Sequence, residues 1–322
     1  MLDRSVLWRN RNRLIPIGAV VVLLFALPAF IPEYELYLVN TILIMAIFAY
    51  GWSLLFSYAG YLSFGQSAFY ALGGYTVAIM YRDVTGSVWL AFLAVLGISA
   101  VGAAVIGALS VRRGRIYFAF LTLSFAMMIY AVVFRWRGFT GGDDGIPSVM
   151  RGALDFGLFQ ANLEPTANYY YFTLVIALIA IAAMWKMVNS PFGYTLKTMR
   201  DNMERASFIG VDVFKYALIA FVISGVYCGL AGALMVSLCG MAYPELSYWT
   251  VSGDPVVACL IGGAYTFAGP FVGSIIYVLV RSYLMALVGN WPLCLGIILI
   301  AVVLFFRTGI MGFVSERFKV TL

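Results

Sequence analysis

The chain has 322 residues, 63% of them hydrophobic and only 11% charged. A soluble globular domain carries nearer one half apolar and one quarter charged residues, so these proportions exclude one and point to a polytopic membrane protein. Lys and Arg outnumber Asp and Glu by 20 to 14, but in a membrane chain a basic excess first reports orientation, and nucleic acid is not an expected partner.

Taken in order, Arg4, Arg9, Arg11 and Arg13 precede an apolar run from Leu14 to Ile31. We read it as an uncleaved first span, with a signal peptide cleaved near Ala26-x-x-Ala29 as the alternative. A second span is expected from about Leu36 to Phe56. The stretch Gly60 to Tyr75, GYLSFGQSAFYALGGY, is apolar enough for membrane depth yet too rich in glycine for a straight span. Non-helical backbone at that depth is tolerated only where protein buries it or a cavity hydrates it. Two readings therefore stand side by side: close packing through small residues, or the lining of a translocation path by Phe64, Gly65, Gln66, Ser67, Phe69, Gly73 and Tyr75.

Further spans are expected at Val88 to Val111 and Ile116 to Phe134, joined by the basic turn Arg112-Arg113-Gly114-Arg115. A long loop, about 135–168, follows and has room for a short helix or hairpin. Within it stands Thr140-Gly141-Gly142-Asp143-Asp144-Gly145, where a turn with a capping role for the aspartates is preferred over cation binding or simple solvation. The next spans run from Tyr169 to Val188 and from Tyr216 to Cys239. The latter carries Gly225, Gly229, Ala233 and Ser237 every four residues, a ladder that lets another helix approach closely. Beyond Pro244 and Asp254, the apolar stretch Val256 to Leu287 is too long for one span, and Gly262-Gly263 and Gly269-Pro270 cut it into two short segments; Gly262 and Gly263 join the path candidates. A last span from Trp291 to Phe306 leads to a basic tail. The expected fold is all-α, a polytopic integral membrane bundle of about eight to ten spans including short broken segments, in one domain covering residues 1–322. A faint echo between Ser63-Phe64-Gly65 and Thr266-Phe267-Ala268 suggests pseudo-symmetric halves.

Between two spans lies the one long polar segment, about 189–215. Ser190 can cap a helix begun by Pro191, and Gly210 supplies a left-handed stop. Leu196, Met199, Met203 and Phe208 recur at three- to five-residue spacing, while Lys197, Arg200, Asp201, Glu204 and Arg205 fill the remainder. One face can then lie on the bilayer or the bundle and the other meet a soluble partner. Placing the N-terminus inside sends this segment, Arg112, Arg113, Arg115, Lys186, Lys215, Arg307, Arg317 and Lys319 to the cytosolic side. Only Arg82, Arg135, Arg137 and Arg151 fall outside, with Arg281 ambiguous.

Histidine is absent, which removes the usual metal ligand and the commonest general base, and no metal site is expected. Cys228, Cys239, Cys259 and Cys294 lie apart in apolar sequence and are read as core residues. No Walker A motif occurs, so the chain is not expected to be an enzyme. The expected spans contain no acidic residue, which argues against an ion-coupled carrier. A channel leaves the docking segment unexplained.

Glu204-Arg205-Ala206-Ser207-Phe208-Ile209-Gly210 resembles the EAA loop of ABC-importer permeases, with Arg205 in place of the common first Ala. Gly60 to Tyr75, Gly114 to Ala126, Thr140 to Gly145, Ser190 to Gly210 and Ser224 to Leu234 together resemble the Liv-type permease subunits of branched-chain amino acid ABC importers, in the LivM branch. Departures are Arg205, Gln66 where His is frequent, and Asp143 where Ser or Ala is frequent. The resemblance implies a multi-pass subunit of the bacterial inner membrane with both termini cytosolic. It pairs with a second homologous permease, sits on two cytosolic ATPase subunits that bind ATP and Mg, and receives substrate from a periplasmic binding protein. It also implies that Pro191, Gly193, Arg200, Asp201, Glu204, Arg205, Ala206 and Gly210 couple the bundle to the ATPases. Leucine, isoleucine and valine are the implied substrates, with urea or a short amide as the alternative.

Overall fold

The structure is a computed structural model and describes residues 22–84, 86–112, 114–149, 151–155, 160–287, 289–305 and 308–318. The first span before residue 22, and with it Arg4, Arg9, Arg11 and Arg13, lies outside the described residues, as do Arg113, Arg307 and Lys319 and the side chain of Arg317.

The architecture is a polytopic helical membrane bundle, and six of its described helices are long and apolar enough to cross a membrane. Helix α1, Glu33–Ser53, continues as a π-helical turn, Leu54–Ala59, that stops at Gly60. Gly60 has φ 75°, a left-handed conformation open to glycine and costly for a side chain. Residues 61–65 then run without helix until α2, Gln66–Ile79, begins, so the glycine-rich stretch is a break followed by a short helix. Helices α3, Val88–Ser110, and α4, Arg115–Arg135, lie within a residue or two of the expected spans. The long loop holds both of the forms it had room for: a one-turn helix α5, Arg137–Thr140, and a hairpin of β1, Ala153–Asp155, on β2, Gln160–Asn162.

Helix α6, Thr166–Val188, leads to the polar segment, which forms α7, Pro191–Asp201, and α8, Met203–Phe208. Helix α9, Val213–Cys239, follows. The expected split of the next apolar stretch is present: α10, Gly253–Gly262, ends at Gly263 with φ 116°, and α11 covers Gly269–Leu287. Helix α12, Trp291–Phe305, is succeeded by α13, Gly309–Phe318, where the sequence suggested only a tail.

Small residues let α2, α3 and α9 meet backbone to backbone, the contact that holds helices together where lipid removes the hydrophobic drive between them. A Cβ added at Gly73 would stand 2.6 Å from the Cα of Gly229, and one at Gly225 would stand 2.6 Å from the Cβ of Ala103. The ladder on α9 is thus an intramolecular seam. Around it, Phe69, Phe118 and Phe221 are fully buried, with Phe221 edge-on to both others at centroid distances of 5.4 and 5.5 Å. Each such pair adds about 0.5–1.5 kcal/mol beyond area burial. The outer faces of α3, α4 and α6 carry exposed Leu93, Val101, Phe120 and Ile179, the surface expected against lipid.

Candidate functional site

Helix α1 holds both broken segments. Trp52 donates its indole N–H to the carbonyl of Ser63 (3.1 Å) in the first break, and Tyr50 donates its hydroxyl to the carbonyl of Phe267 (3.0 Å) in the second. The two buried donors sit two residues apart, so one helix fixes the non-helical backbone of both breaks. The echo read between Ser63-Phe64-Gly65 and Thr266-Phe267-Ala268 corresponds to these two breaks, each placed directly before a helix.

The path candidates of α2 are mostly committed to packing and hydrogen bonds. Gln66 donates Nε2 to Ser224 Oγ (2.9 Å), which in turn donates to the Gly51 carbonyl (2.6 Å). The backbone N–H of Ser67 donates to Ser252 Oγ (2.9 Å), and that hydroxyl donates to Ser67 Oγ (2.9 Å). These bonds bring the N-terminal turns of the two short helices α2 and α10 together. Phe64 is half-buried and Phe69 fully buried, while Gly65 abuts Thr122 and Gly73 abuts Gly229. Tyr75 is buried, and its hydroxyl has no hydrogen-bond partner among the described residues, like Gln66 Oε1. Gly262 lies against the backbone of Gly269 and Gly273, closing the α10–α11 turn, and Gly263 faces Thr308.

A cavity of about 240 Å³ opens instead between α1 and α11, with Phe48, Tyr70, Asp254, Tyr277 and Arg281 among its lining. Of α2 it takes Tyr70, which the sequence reading passed over. Asp254, which the sequence places ahead of the apolar stretch, stands in the first turn of the short apolar helix α10, not in a loop. Its Oδ2 accepts from Arg281 Nη1 (2.9 Å) and its Oδ1 from the Tyr277 hydroxyl (2.6 Å). Arg281, ambiguous from sequence, is therefore a mid-span cation with a named partner. A pairing across 27 residues leaves no local signal.

The polar segment differs from the single helix expected. Asn202, in extended backbone, ends α7 and caps α8 by accepting from the Arg205 N–H (2.9 Å). Ser190 precedes Pro191 as expected, but its hydroxyl donates back to the Met187 carbonyl (2.6 Å) and caps nothing. Gly193, Leu196, Met199 and Ala206 are buried against the bundle. The break at Asn202 turns α8 away, so Phe208, expected on the apolar face with Leu196 and Met199, does not join them against the bundle and is 89% exposed, and Ile209 is 70% exposed. Pro191, Asp201, Glu204, Arg205 and Gly210 are exposed beside them, and Gly210 has φ 90°. Asp212 caps α9 and is held below the usual carboxylate range by the Lys215 backbone N–H and ammonium.

Arg200 points inward, not to the open face. It donates Nη1 to the Ser57 carbonyl (2.6 Å) at the first break and lies 5.4 Å from the ring of Tyr265 in the second, while also pairing with Asp201 (3.1 Å). Arg115 reaches across from α4 and donates Nη2 to the carbonyls of Met199 and Arg200, both at 2.9 Å. Sequence reading used Arg115 only as an orientation marker. Its place at the start of a span, opposite an exposed carbonyl end, was the available signal.

At the opposite end of the bundle, Thr140 donates its hydroxyl to the carbonyls of Val133 (2.6 Å) and Trp136 (2.8 Å). Gly141, Gly142 and Gly145 all have positive φ. The turn then pairs Ile146 with Ala242 as an isolated antiparallel bridge. Neither aspartate caps a helix by its side chain: Asp143 pairs with Arg137 (2.9 Å), and Asp144 closes a 3-10 turn begun at Gly142. Arg151, also missed, donates to the carbonyls of Ser237 (3.1 Å) and Leu238 (3.0 Å) and so caps the end of α9. Among the described residues no cluster of side chains suits a metal ion.

The model of the branched-chain amino acid transport system permease component family matches residues 34–307. The chain belongs to this family. It is 22% identical, over 94% of its own length and 75% of the other, to the high-affinity branched-chain amino acid transport system permease protein LivM of Escherichia coli K12. It is also 30% identical to the xylose transport system permease protein XylH of Haemophilus influenzae, over 36% of this chain and 30% of that one. A third similarity, 27%, is to the galactose/methyl galactoside import permease protein MglC of Escherichia coli K12, over 57% of this chain and 55% of that one. No solved structure matches the chain. As members of a permease family, such chains carry solutes and are not themselves enzymes.

Proposed function

We propose that this permease is the transmembrane subunit of an ABC importer for branched-chain amino acids, driven by ATP hydrolysed in two partner subunits. The observation that carries the reading is Arg200. One residue of the polar segment reaches the Ser57 carbonyl in the π-helical turn that leads into the first break and the Tyr265 ring in the second, so a push on α7 is delivered to both broken segments at once. The buried Leu196 and Met199 seat the lever, and the Arg115 bonds to its last carbonyls stiffen it. The exposed Glu204, Arg205, Phe208 and Ile209 form a mixed polar and apolar face suited to a cytosolic ATPase.

The end of the bundle with Arg112, Arg115, Lys197, Arg200 and Arg205 is then cytosolic, and the end with the Gly141 turn and the β hairpin is periplasmic, where a binding protein delivers substrate. A second homologous permease completes the path, and the whole chain works as one domain in the bacterial inner membrane. ATP and Mg belong to the partner subunits. The substrate follows the family description and the long similarity to LivM. A sugar is the second reading, favoured by the shorter similarities to XylH and MglC. Proteoliposomes holding the full complex, fed with each binding protein and labelled leucine or xylose, decide between them: leucine uptake dependent on ATP is expected, and xylose uptake without leucine uptake overturns the assignment.

A further inference from the structure

We infer that the cavity between α1 and α11 is a solute subsite for a free α-amino acid, with Arg281 taking the carboxylate and Asp254 the ammonium. This rests on the amino acid reading above and adds where, within this chain, the solute is held.

An ion pair inside a membrane bundle is costly to bury and adds little stability for that cost, so its presence at a cavity wall asks for a use. This pair is not sealed: the side chains of Arg281 and Asp254 keep 35% and 25% of their surface accessible. Each also has capacity to spare. Among the described residues the hydrogen bonds of Arg281 run through Nη1 alone, leaving Nη2 and Nε for a second carboxylate. Asp254 accepts one bond on each oxygen and can accept about two more. The guanidinium is held in place by rings, 5.1 Å from the centroid of Trp291 and 5.9 Å from that of Tyr277, which positions it without using its donors.

The remaining wall selects the rest of the solute. Ile44, Met45, Phe48, Met235 and Val278 are apolar, a surface for an aliphatic side chain. The volume, about 240 Å³, is below the range of drug-sized ligand pockets, about 300–1,000 Å³, and suits a small solute. A sugar needs donors and acceptors spread around its ring. Most hydroxyls here are already engaged, Thr41 with the Tyr37 carbonyl (3.0 Å), Ser282 with the Tyr34 hydroxyl (3.1 Å) and Tyr277 with Asp254 (2.6 Å), which leaves that of Tyr70. Two opposite charges at one end of an apolar chamber match a zwitterion with a hydrocarbon tail better than a polyol.

The test uses the full importer complex in lipid nanodiscs, without binding protein, and reads its thermal unfolding midpoint against L-leucine, isoamylamine, 4-methylpentanoate and D-xylose. Leucine is expected to raise the midpoint, while the two analogues that each lack one charge, and xylose, do not. In Arg281→Gln and Asp254→Asn the leucine concentration for a half-maximal rise is expected to increase at least about tenfold, the loss of one charge-assisted hydrogen bond. Because either change removes the bond that ties α10 to α11, Met285→Trp serves as a second probe: Met285 is an exposed residue of the cavity lining, and the larger side chain narrows the cavity while both charged residues are kept. It should assemble and lose the leucine effect. A wild-type complex that imports leucine but shows no leucine-dependent rise overturns the subsite while leaving the import reading in place, and so does a rise retained in all three variants. A complex that imports xylose and not leucine overturns the reading beneath it.

Discussion

Alanine at Gly73 tests whether the seam between α2 and α9 is as tight as the backbone positions require. The new Cβ would stand 2.6 Å from Gly229 Cα, and closer still to its carbonyl oxygen. Carbon atoms in contact stand about 3.5–4.0 Å apart, so the helices must separate by about 1 Å. Backbone on both sides leaves no rotamer to relieve the clash. Neighbouring glycines lose their fit with it, since Gly232 rests on the Tyr70 carbonyl and a Cβ at Gly74 would already stand 2.6 Å from Val236 Cγ2. Overpacking of this kind costs about 1–3 kcal/mol. At about 2–4 °C per kcal/mol for a chain somewhat smaller than this one, the melting midpoint should fall by about 2–12 °C. Gly210→Ala is the control. There a Cβ meets nothing within 4 Å, and only the φ of 90° is strained, about 1–2 kcal/mol confined to the exposed loop. Thermal melts of the purified chain in detergent, read by the monodisperse fraction, compare the two. A Gly73→Ala midpoint equal to wild type would refute the packing account and return Gly73 to the candidate path.

Removing the inward guanidinium with Arg200→Ala should leave the melt near wild type and abolish substrate-stimulated ATP hydrolysis, because the bond to Ser57 and the contact with Tyr265 go together; Arg200→Lys should restore little, since one ammonium cannot serve both. Asn202→Ala removes the cap of α8 at about 1 kcal/mol, which should appear as faster amide exchange at Arg205 and Ala206. Phe208→Asp, on the exposed face, should leave the isolated chain unchanged and weaken its co-purification with ATPase subunits. Trp52→Phe keeps an aromatic ring, smaller than the indole, and removes the bond to Ser63, and exchange of residues 61–65 should quicken while α1 stays protected.

Length and apolarity made most spans legible, because a membrane-crossing helix must satisfy every backbone group internally and cannot be short or polar. Gly262-Gly263 and Gly269-Pro270 announced the second break by the same logic, while the glycine-rich stretch from Gly60 left close packing and a break both open. The pieces that escaped are those set by contact and not by composition. Apolar spacing along the polar segment ignores where a helix stops, so the turn at Asn202 carried Phe208 outward. Ser190 fits a cap by residue type, yet the Met187 carbonyl competes for its hydroxyl. Arg200 reads as a surface charge until its reach to Ser57 is seen, and Asp254 reads as a loop residue until α10 is found to begin at Gly253.

The central claim is that ATP hydrolysed elsewhere drives a branched-chain amino acid through this bundle by way of α7. Uptake of labelled leucine into proteoliposomes holding the complete complex, its binding protein and enclosed ATP measures it directly. The account predicts uptake that needs ATP, is competed by isoleucine and valine but not by urea or xylose, and is lost in Arg200→Ala. Leucine uptake that continues without ATP, or that Arg200→Ala leaves at the wild-type rate, would contradict it.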